Sequence, residues 1–141
     1  MSKVAVVYWS GTGNTEQMAQ LVAEGAQSAG AEVRSFTSAE FDSSLLDGFD
    51  AVAFGCPAMG AEQLEESEFE PMFQSCESKL SNKKIGLFGS YGWGDGEWMR
   101  TWEDTCRADG AFLIMDGVIC NDEPSGDAED ECRALGAALA G

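Results

Sequence analysis

Apolar segments that suit buried strands alternate along the chain with segments of helical periodicity, and this alternation limits the possible folds more than any other feature. Strands separated by helices need crossover connections, which are typical of a parallel sheet covered by helices on both faces. The predicted strands are residues 3–9, 32–36, 50–56, 84–90 and 111–120. The predicted helices are residues 14–29, 42–46, 70–80, 97–109 and 127–140. We therefore expect one α/β domain spanning residues 1–141.

Three of the predicted strands have distinctive sequences. Residues 32–36 alternate polar with apolar or small side chains, which suits an edge strand, whereas residues 50–56 are nearly all apolar and suit a central one. The last predicted strand, 111–120, has an interruption near Asp116 and Gly117. Residues 58–69 are acidic and are predicted to form a loop.

The first predicted strand is joined to the first predicted helix by six small or polar residues: Ser10, Gly11, Thr12, Gly13, Asn14 and Thr15. A loop of glycines, hydroxyls and one amide can direct backbone N–H groups and side-chain donors at an anion beside a helix N-terminus. An ordinary turn needs one capping residue rather than six donor-capable residues in a row. No Gly-Lys-Ser/Thr follows, so the loop is not that of a nucleotide triphosphatase. The sequence predicts a phosphate-binding loop that contains no basic residue.

Two further loops follow predicted strands and should reach the same edge of the sheet. They are residues 56–62 and 90–96, and both are rich in glycine or in side chains that can contact a ligand. Ligands of open α/β sheets bind beyond the carboxyl ends of the strands, where the strand order reverses. We expect the three loops to converge on one binding site.

The chain is strongly acidic, with 25 Asp and Glu residues against 8 Lys and Arg and a formal net charge of −17. This charge makes nucleic acids and anionic membrane surfaces poor partners and favours partners with a basic face. The chain has no histidine, which excludes Ser-His-Asp and Cys-His catalysis and the usual histidine-containing zinc sites. Any chemistry is therefore expected to come from a bound cofactor.

The cysteines are odd in number, widely spaced and without a C-x-x-C pair: Cys56, Cys76, Cys106, Cys120 and Cys132. This pattern indicates buried small side chains in a reducing cytoplasm rather than a disulfide framework or a metal site. The apolar run after Lys3 is too short for a secretory signal, and no run is long enough to span a membrane. We predict a cytoplasmic protein.

Four stretches of the chain resemble the flavodoxins, in particular the short-chain flavodoxins of anaerobic bacteria. They are residues 8–15 (YWSGTGNT), 55–60 (GCPAMG), 86–94 (GLFGSYGWG) and 96–99 (GEWM). The resemblance covers essentially the whole chain in one register. It implies a three-layer flavodoxin-like fold with five parallel strands in the order 2-1-3-4-5, a non-covalently bound FMN and a monomer. Flavodoxin with its FMN is itself a known example of binding at the point where the strand order reverses.

The resemblance also implies the function. It implies a low-potential one-electron carrier that shuttles between the semiquinone and hydroquinone of FMN and serves redox enzymes with basic docking faces. The alternative is an FMN-dependent reductase of a small substrate such as a quinone, which would need a substrate pocket over the flavin ring. A phosphate-responsive signalling domain fits less well, because Asp50 lies at the start of its strand and Cys56-Pro57 at the end.

Individual residues receive roles from the same resemblance. The hydroxyls of Ser10, Thr12 and Thr15, the Asn14 amide and the loop N–H groups would hold the phosphate. Met59 would cover the inner face of the flavin ring, and Trp93 would stack on the ring as a lid. The remaining residues that the resemblance places at FMN are Gly11, Gly13, Pro57, Ala58, Ala61, Ser90, Tyr91, Gly92 and Gly94. Trp98 and Trp102 stand at helical spacing and are predicted to be packing residues instead.

The turn of residues 59–62 has glycine at its first central position, which allows a positive φ. By the resemblance, the Gly60 carbonyl swings towards flavin N5 when the first electron and a proton arrive, and Glu62 accepts a hydrogen bond from flavin N3–H. Some relatives carry Asp or Asn after this glycine, where this chain has Ala61. The run Glu62, Glu65, Glu66, Glu68 and Glu70 predicts a negative collar around the exposed flavin edge. Such a collar would disfavour a second electron and steer the protein onto basic partners.

Overall fold

Short strands and helices alternate along the part of the chain that the computed structural model describes, residues 2–11, 13–60, 62–92 and 94–141. The strands within these ranges are β1 (Lys3–Tyr8), β2 (Glu32–Thr37), β3 (Ala51–Gly55), β4 (Lys84–Tyr91), β5 (Phe112–Leu113) and β6 (Val118–Asn121). The helices are α1 (Asn14–Ser28), α2 (Ser43–Leu46), α3 (Phe69–Cys76), α4 (Glu97–Ala108) and α5 (Asp127–Ala140). None of these helices has the length and apolar character that crossing a membrane requires.

The strands form one parallel sheet in the order β2-β1-β3-β4-β5, so the predicted fold and strand order are confirmed. The predicted fifth strand is broken into two pieces, because β5 pairs with the beginning of β4 and β6 pairs with its end. The break includes the predicted interruption. There Gly117 N donates to the Glu103 carboxylate of α4 at 2.6 Å, which draws the chain away from the sheet.

The period of two in β1 divides its side chains between two cores. Val4 and Val6 pack with α1 and α5, whereas Ala5 and Val7 pack with residues of α3 and α4 on the opposite face. All five residues of β3 are buried, as expected for a central strand, and β2 buries only Phe36 closely, as expected for an edge. The sheet is therefore covered on both faces.

All five cysteines are buried and unpaired in the structure, as predicted. Burial raises the pKa of the Cys56, Cys106 and Cys132 thiols to about 12. These thiols therefore remain protonated at neutral pH and act as small packing groups.

Helices α1 and α5 are close enough for backbone to touch backbone. A Cβ atom on Gly25 would lie 2.0 Å from Arg133 O, and one on Gly136 would lie 2.0 Å from Val22 O. Both distances are far inside van der Waals contact. A side chain at either position would force the two helices apart.

The start of α3 is capped by Glu65, which lies in the acidic segment before the helix. Its side chain is only 7% exposed, and its carboxylate accepts hydrogen bonds from the backbone N–H groups of Ser67 (2.9 Å), Glu68 (2.8 Å) and Phe69 (2.8 Å) and from the Ser67 hydroxyl. The first N–H groups of a helix have no partner within the helix, so a carboxylate there satisfies several at once. The prediction that Glu65 belongs to an exposed collar is therefore wrong.

The predicted third helix, 70–80, begins one residue earlier than predicted and is divided near its end. The Glu65 cap begins α3 one residue earlier, at Phe69, and the helix ends at Cys76. One turn of 3-10 helix, Glu77–Lys79, follows it. Pro71 lies in the first turn, where its missing N–H costs nothing.

The close approach of α1 and α5 predicts the effect of Gly136→Ala. Alanine normally stabilises a helix interior relative to glycine by about 1 kcal/mol, whereas the clash with Val22 O should here lower the free energy of unfolding by about 2–3 kcal/mol. Urea unfolding measures the change. The control is Gly48→Ala, where the new Cβ would make an ordinary 3.4 Å contact with Leu45 O. Equal stability of the two variants would contradict the proposed clash.

The Glu65 cap predicts a specific loss of stability in acid. Burial raises the pKa of Glu65, but its four donors outweigh this effect and lower the pKa from 4.5 to about 2. The carboxylate therefore contributes stability above pH 4.5, on the order of 3 kcal/mol, and this contribution disappears as the pH falls towards 2. Glu65→Gln should be less stable than the parent protein at pH 6 and closer to it at pH 3, as measured by urea unfolding. If the free energies of unfolding of the variant and the parent protein differed by the same amount at both pH values, the charge of Glu65 would not be what stabilises the helix start.

Candidate functional site

The three loops predicted to converge do meet, around a cavity of about 230 Å³ at the carboxyl ends of β1, β3 and β4. Its lining residues are Trp9, Ser10, Gly11, Asn14, Thr15, Pro57, Ala58, Met59, Ser90, Tyr91, Gly92 and Asp122. The strand order reverses between β1 and β3, since β2 lies on the far side of β1. The cavity is therefore at the position where open α/β sheets bind ligands.

A second, larger hollow of about 500 Å³ shares Trp9, Ser10 and Gly11 with this cavity. Its other lining residues are Tyr8, Gly13, Glu16, Thr37, Ser38, Ala39 and Glu68. Trp9, which lines both hollows, donates from its indole N–H to the Glu68 carboxylate at 3.3 Å. Sequence reasoning gave Trp9 no role in the site. The signal that could have identified it is its position directly between a buried strand and the predicted phosphate loop.

The predicted phosphate loop is held by the hydroxyls of Ser10 and Thr15. Ser10 Oγ accepts from the N–H groups of Gly13 (3.1 Å) and Glu16 (3.3 Å), so this side chain caps the start of α1. Thr15 is 1% exposed, and its Oγ1 accepts from Ser90 N at 3.4 Å. In both residues the hydroxyl oxygen is the acceptor, which leaves the hydroxyl hydrogen to be donated to a ligand.

The donors of this loop suit a phosphate. They are the two hydroxyls, the Asn14 amide and the N–H groups at the start of α1 other than that of Glu16, which Ser10 already binds. The helix dipole also favours an anion there. No Lys or Arg belongs to the described lining of either hollow. An anion bound there would therefore be held by neutral hydrogen-bond donors alone.

The second loop leaves β3 at Cys56 and forms a narrow turn. Ala58 N donates to Ser90 O at 3.0 Å, and Met59 and Gln63 exchange two backbone hydrogen bonds of 2.9 and 3.0 Å. Between them Gly60 has φ 46°, which confirms the predicted positive φ. Among the described residues, no atom beyond the chain neighbours lies within 4 Å of the position of a Cβ on Gly60, so the backbone angle rather than lack of space favours glycine.

Glu62, at the end of this turn, is not among the described residues that line the 230 Å³ cavity. Its carboxylate accepts from Glu97 N at 3.2 Å, at the N-terminus of α4. It also packs against Gly94, where a Cβ would lie 2.7 Å from the carboxylate. The side chain thus joins the second loop to the third, where a negative charge also complements the helix dipole. Its contact with flavin N3–H remains a prediction.

Asp122, the first residue after β6, lies beside the third loop and enters the site. Asp122 N donates to Tyr91 O at 2.8 Å, and Asp122 Oδ1 lies 3.7 Å from the position of a Cβ on Gly92. Sequence reasoning left open whether Asn121 or Asp122 approaches the ligand. Of the two, Asp122 lines the cavity, because β6 pairs with the end of β4 and carries the following residues to the same edge.

Trp98 and Trp102 are both 2% exposed, which confirms that they are packing residues. Trp98 also donates its indole N–H to Cys56 O at 3.1 Å and so supports the loop from below. The predicted site residues Thr12, Ala61 and Trp93 lie outside the described residues.

Comparison with known proteins agrees with this geometry. A family model described as Flavodoxin matches residues 6–136. The flavodoxin of Clostridium beijerinckii is 44% identical over 135 residues, which are 96% of this chain and 97% of that protein. The flavodoxin of Megasphaera elsdenii is 45% identical over 137 residues, which are 97% of this chain and 98% of that protein.

A solved structure leads to the same family. The solution structure of two-electron reduced Megasphaera elsdenii flavodoxin superposes with a TM-score of 0.90 at 46% identity and covers 97% of this chain and 98% of that one. The sequence match and the structural match therefore both extend over nearly the full length of each protein. The chain belongs to the flavodoxin family, whose members bind FMN and use it to carry electrons.

Proposed function

We propose that this protein is a low-potential one-electron carrier that works between the semiquinone and hydroquinone states of a non-covalently bound FMN. The observation that supports this best is that three loops meet at one cavity. They are the uncharged phosphate loop of residues 10–15, the loop of residues 56–62 with the positive φ of Gly60, and the loop of residues 90–96 with Tyr91. FMN supplies the redox chemistry, and the protein supplies binding, orientation and electrostatics.

The residues around the cavity fit the two halves of FMN. We assign the phosphate to residues 10–15, where hydroxyl, amide and backbone donors are concentrated, with Thr12 included on sequence grounds. The ring is assigned to residues 57–61 and 90–94, and Glu62 is proposed to meet its N3–H. Three of these residues, Pro57, Ala58 and Met59, are half-buried and line the described cavity, so they can contact a flat ring without enclosing it.

The charges near the site favour a low potential for the second electron. Glu16 and Glu68 line the larger hollow, Asp122 lines the smaller, and the whole chain carries a formal net charge of −17. The phosphate adds further negative charge that no basic residue of the described lining offsets. Since like charges repel, a second electron is harder to add than the first.

A carrier is favoured over a reductase by the family resemblance, in which Trp93 stacks on the flavin ring as a lid. Such a lid would occupy the face of the ring over which the alternative reductase of a quinone or similar small substrate would have to bind its substrate. We propose that the protein does not catalyse a reaction on a substrate of its own.

The partners are proposed to be redox enzymes with basic docking faces, met in the cytoplasm. Exposed carboxylates near the site, including Glu66, Glu68 and Glu123, would steer the approach of such faces. The five buried thiols are compatible with a reducing compartment. A monomer is proposed, as in the family resemblance.

Stepwise anaerobic reduction of the FMN-loaded protein, followed by absorbance, tests the proposal. We expect two separate one-electron steps, with a blue neutral semiquinone after the first and a lower potential for the second. Bleaching in a single two-electron step would favour the reductase. A purified protein that neither contains FMN nor takes it up would overturn both functions.

The backbone angle of Gly60 predicts a change in the first reduction step. Gly60→Ala should disfavour the positive φ and weaken a hydrogen bond from flavin N5–H to the Gly60 carbonyl, a loss of about 1–1.5 kcal/mol, or roughly 40–60 mV in the one-electron potential. Spectroelectrochemistry measures the shift. Gly30→Ala is the control, because Gly30 also has a positive φ and open space around its Cβ position but lies at the far end of α1. An unchanged potential in Gly60→Ala would exclude this role of the peptide.

A further inference from the structure

The loop between β3 and α3 is closed at its base by one buried residue, Glu65. Glu65 N donates to Cys56 Sγ at 3.4 Å, and Cys56 is the residue at which the loop leaves β3. On its other side, the Glu65 carboxylate accepts from Glu68 N and Phe69 N, where α3 begins. A single residue therefore joins the two ends of the loop to each other and to the helix.

Between these ends the loop narrows to a neck and a tip. The neck consists of the two hydrogen bonds between Met59 and Gln63. At the tip, Gly60 is exposed and Glu62 has φ 54°, an angle that is uncommon for a residue with a side chain. The position of the tip thus depends on the neck. Gln63, the later of the two neck residues, is followed two residues later by Glu65.

We propose that Glu65 is a positioning residue of the electron-transfer site, which fixes the return limb of this loop, residues 63–65, and thereby sets the orientation of the Gly60 peptide towards the cofactor. This inference rests on the proposed function, in which the Gly60 carbonyl faces the flavin. A carboxylate suits the position because both of its oxygens accept hydrogen bonds, so that Oε1 serves Glu68 N and Phe69 N while Oε2 serves Ser67.

Glu65→Gln tests the proposal, because glutamine has the same shape but places an NH₂ group opposite backbone N–H donors. In the FMN-loaded variant, we expect amide hydrogen exchange at Met59 and Gln63 to become at least tenfold faster. We also expect the equilibrium constant for accepting the first electron to fall at least fivefold. NMR-detected exchange and spectroelectrochemistry at one pH measure the two effects.

Two control variants separate positioning from loss of charge and from loss of stability. Glu66→Gln removes the same charge from the next residue, whose exposed carboxylate contacts the Gln63 side chain rather than the start of α3. Gly136→Ala lowers stability on the opposite face of the sheet. In both controls, amide hydrogen exchange at Met59 and Gln63, corrected for any change in global unfolding, should stay within twofold of the parent rate. The equilibrium constant for accepting the first electron should also stay within twofold of the parent value.

The proposal is overturned if the neck amides of Glu65→Gln exchange at the parental rate, or if its first-electron equilibrium moves no further than in Glu66→Gln. Glu65 would then only cap α3. If Glu65→Gln does not fold, Ser67→Ala removes one donor to the carboxylate and should give a smaller change in the same direction, and parental exchange there overturns the proposal. If the parent protein accepts both electrons in one step, the proposed function fails, while exchange at Met59 and Gln63 still decides whether Glu65 holds the neck.

Discussion

The parallel pairing of β1, β3 and β4 is the constraint on which the site depends. Their hydrogen-bond ladder continues past the strands into the loops, with Trp9 N donating to Gly55 O, Cys56 N to Phe88 O and Ala58 N to Ser90 O. The first residues of the loops therefore inherit the register of the sheet. A ligand at this edge meets a backbone that is already ordered, which lowers the entropy that binding must offset.

Close packing at the ends of β3 and β4 requires residues without side chains. A Cβ on Gly55 would lie 2.1 Å from the Phe88 ring, and one on Gly89 would lie 2.2 Å from Cys56 O. These contacts lie directly beneath the loop that carries Met59 and Gly60. The close packing of β3 against β4 thus fixes the position from which that loop leaves the sheet.

Negative charge has three different uses in this acidic chain. Most carboxylates are exposed and contribute to the field around the molecule, whereas the Glu65 carboxylate is buried and satisfied by N–H and O–H donors. Glu62 stands between these cases, since it is half-buried at the start of α4. Neighbouring residues of one acidic run therefore have different effects, depending on the direction in which each side chain points. Glu65 caps a helix, Glu62 joins two loops, and the exposed carboxylates attract basic surfaces at long range.

The alternation of strands and helices, the donors of residues 10–15 and the positive φ of Gly60 could all be predicted from the sequence, because periodicity and backbone preference are local properties of a chain. The burial of Glu65, the contact of Glu62 with α4 and the entry of Asp122 into the cavity could not. Each of these depends on which segments meet across the sheet and on the turn a loop takes after its strand ends. No local pattern records that information, so packing between distant segments determined it.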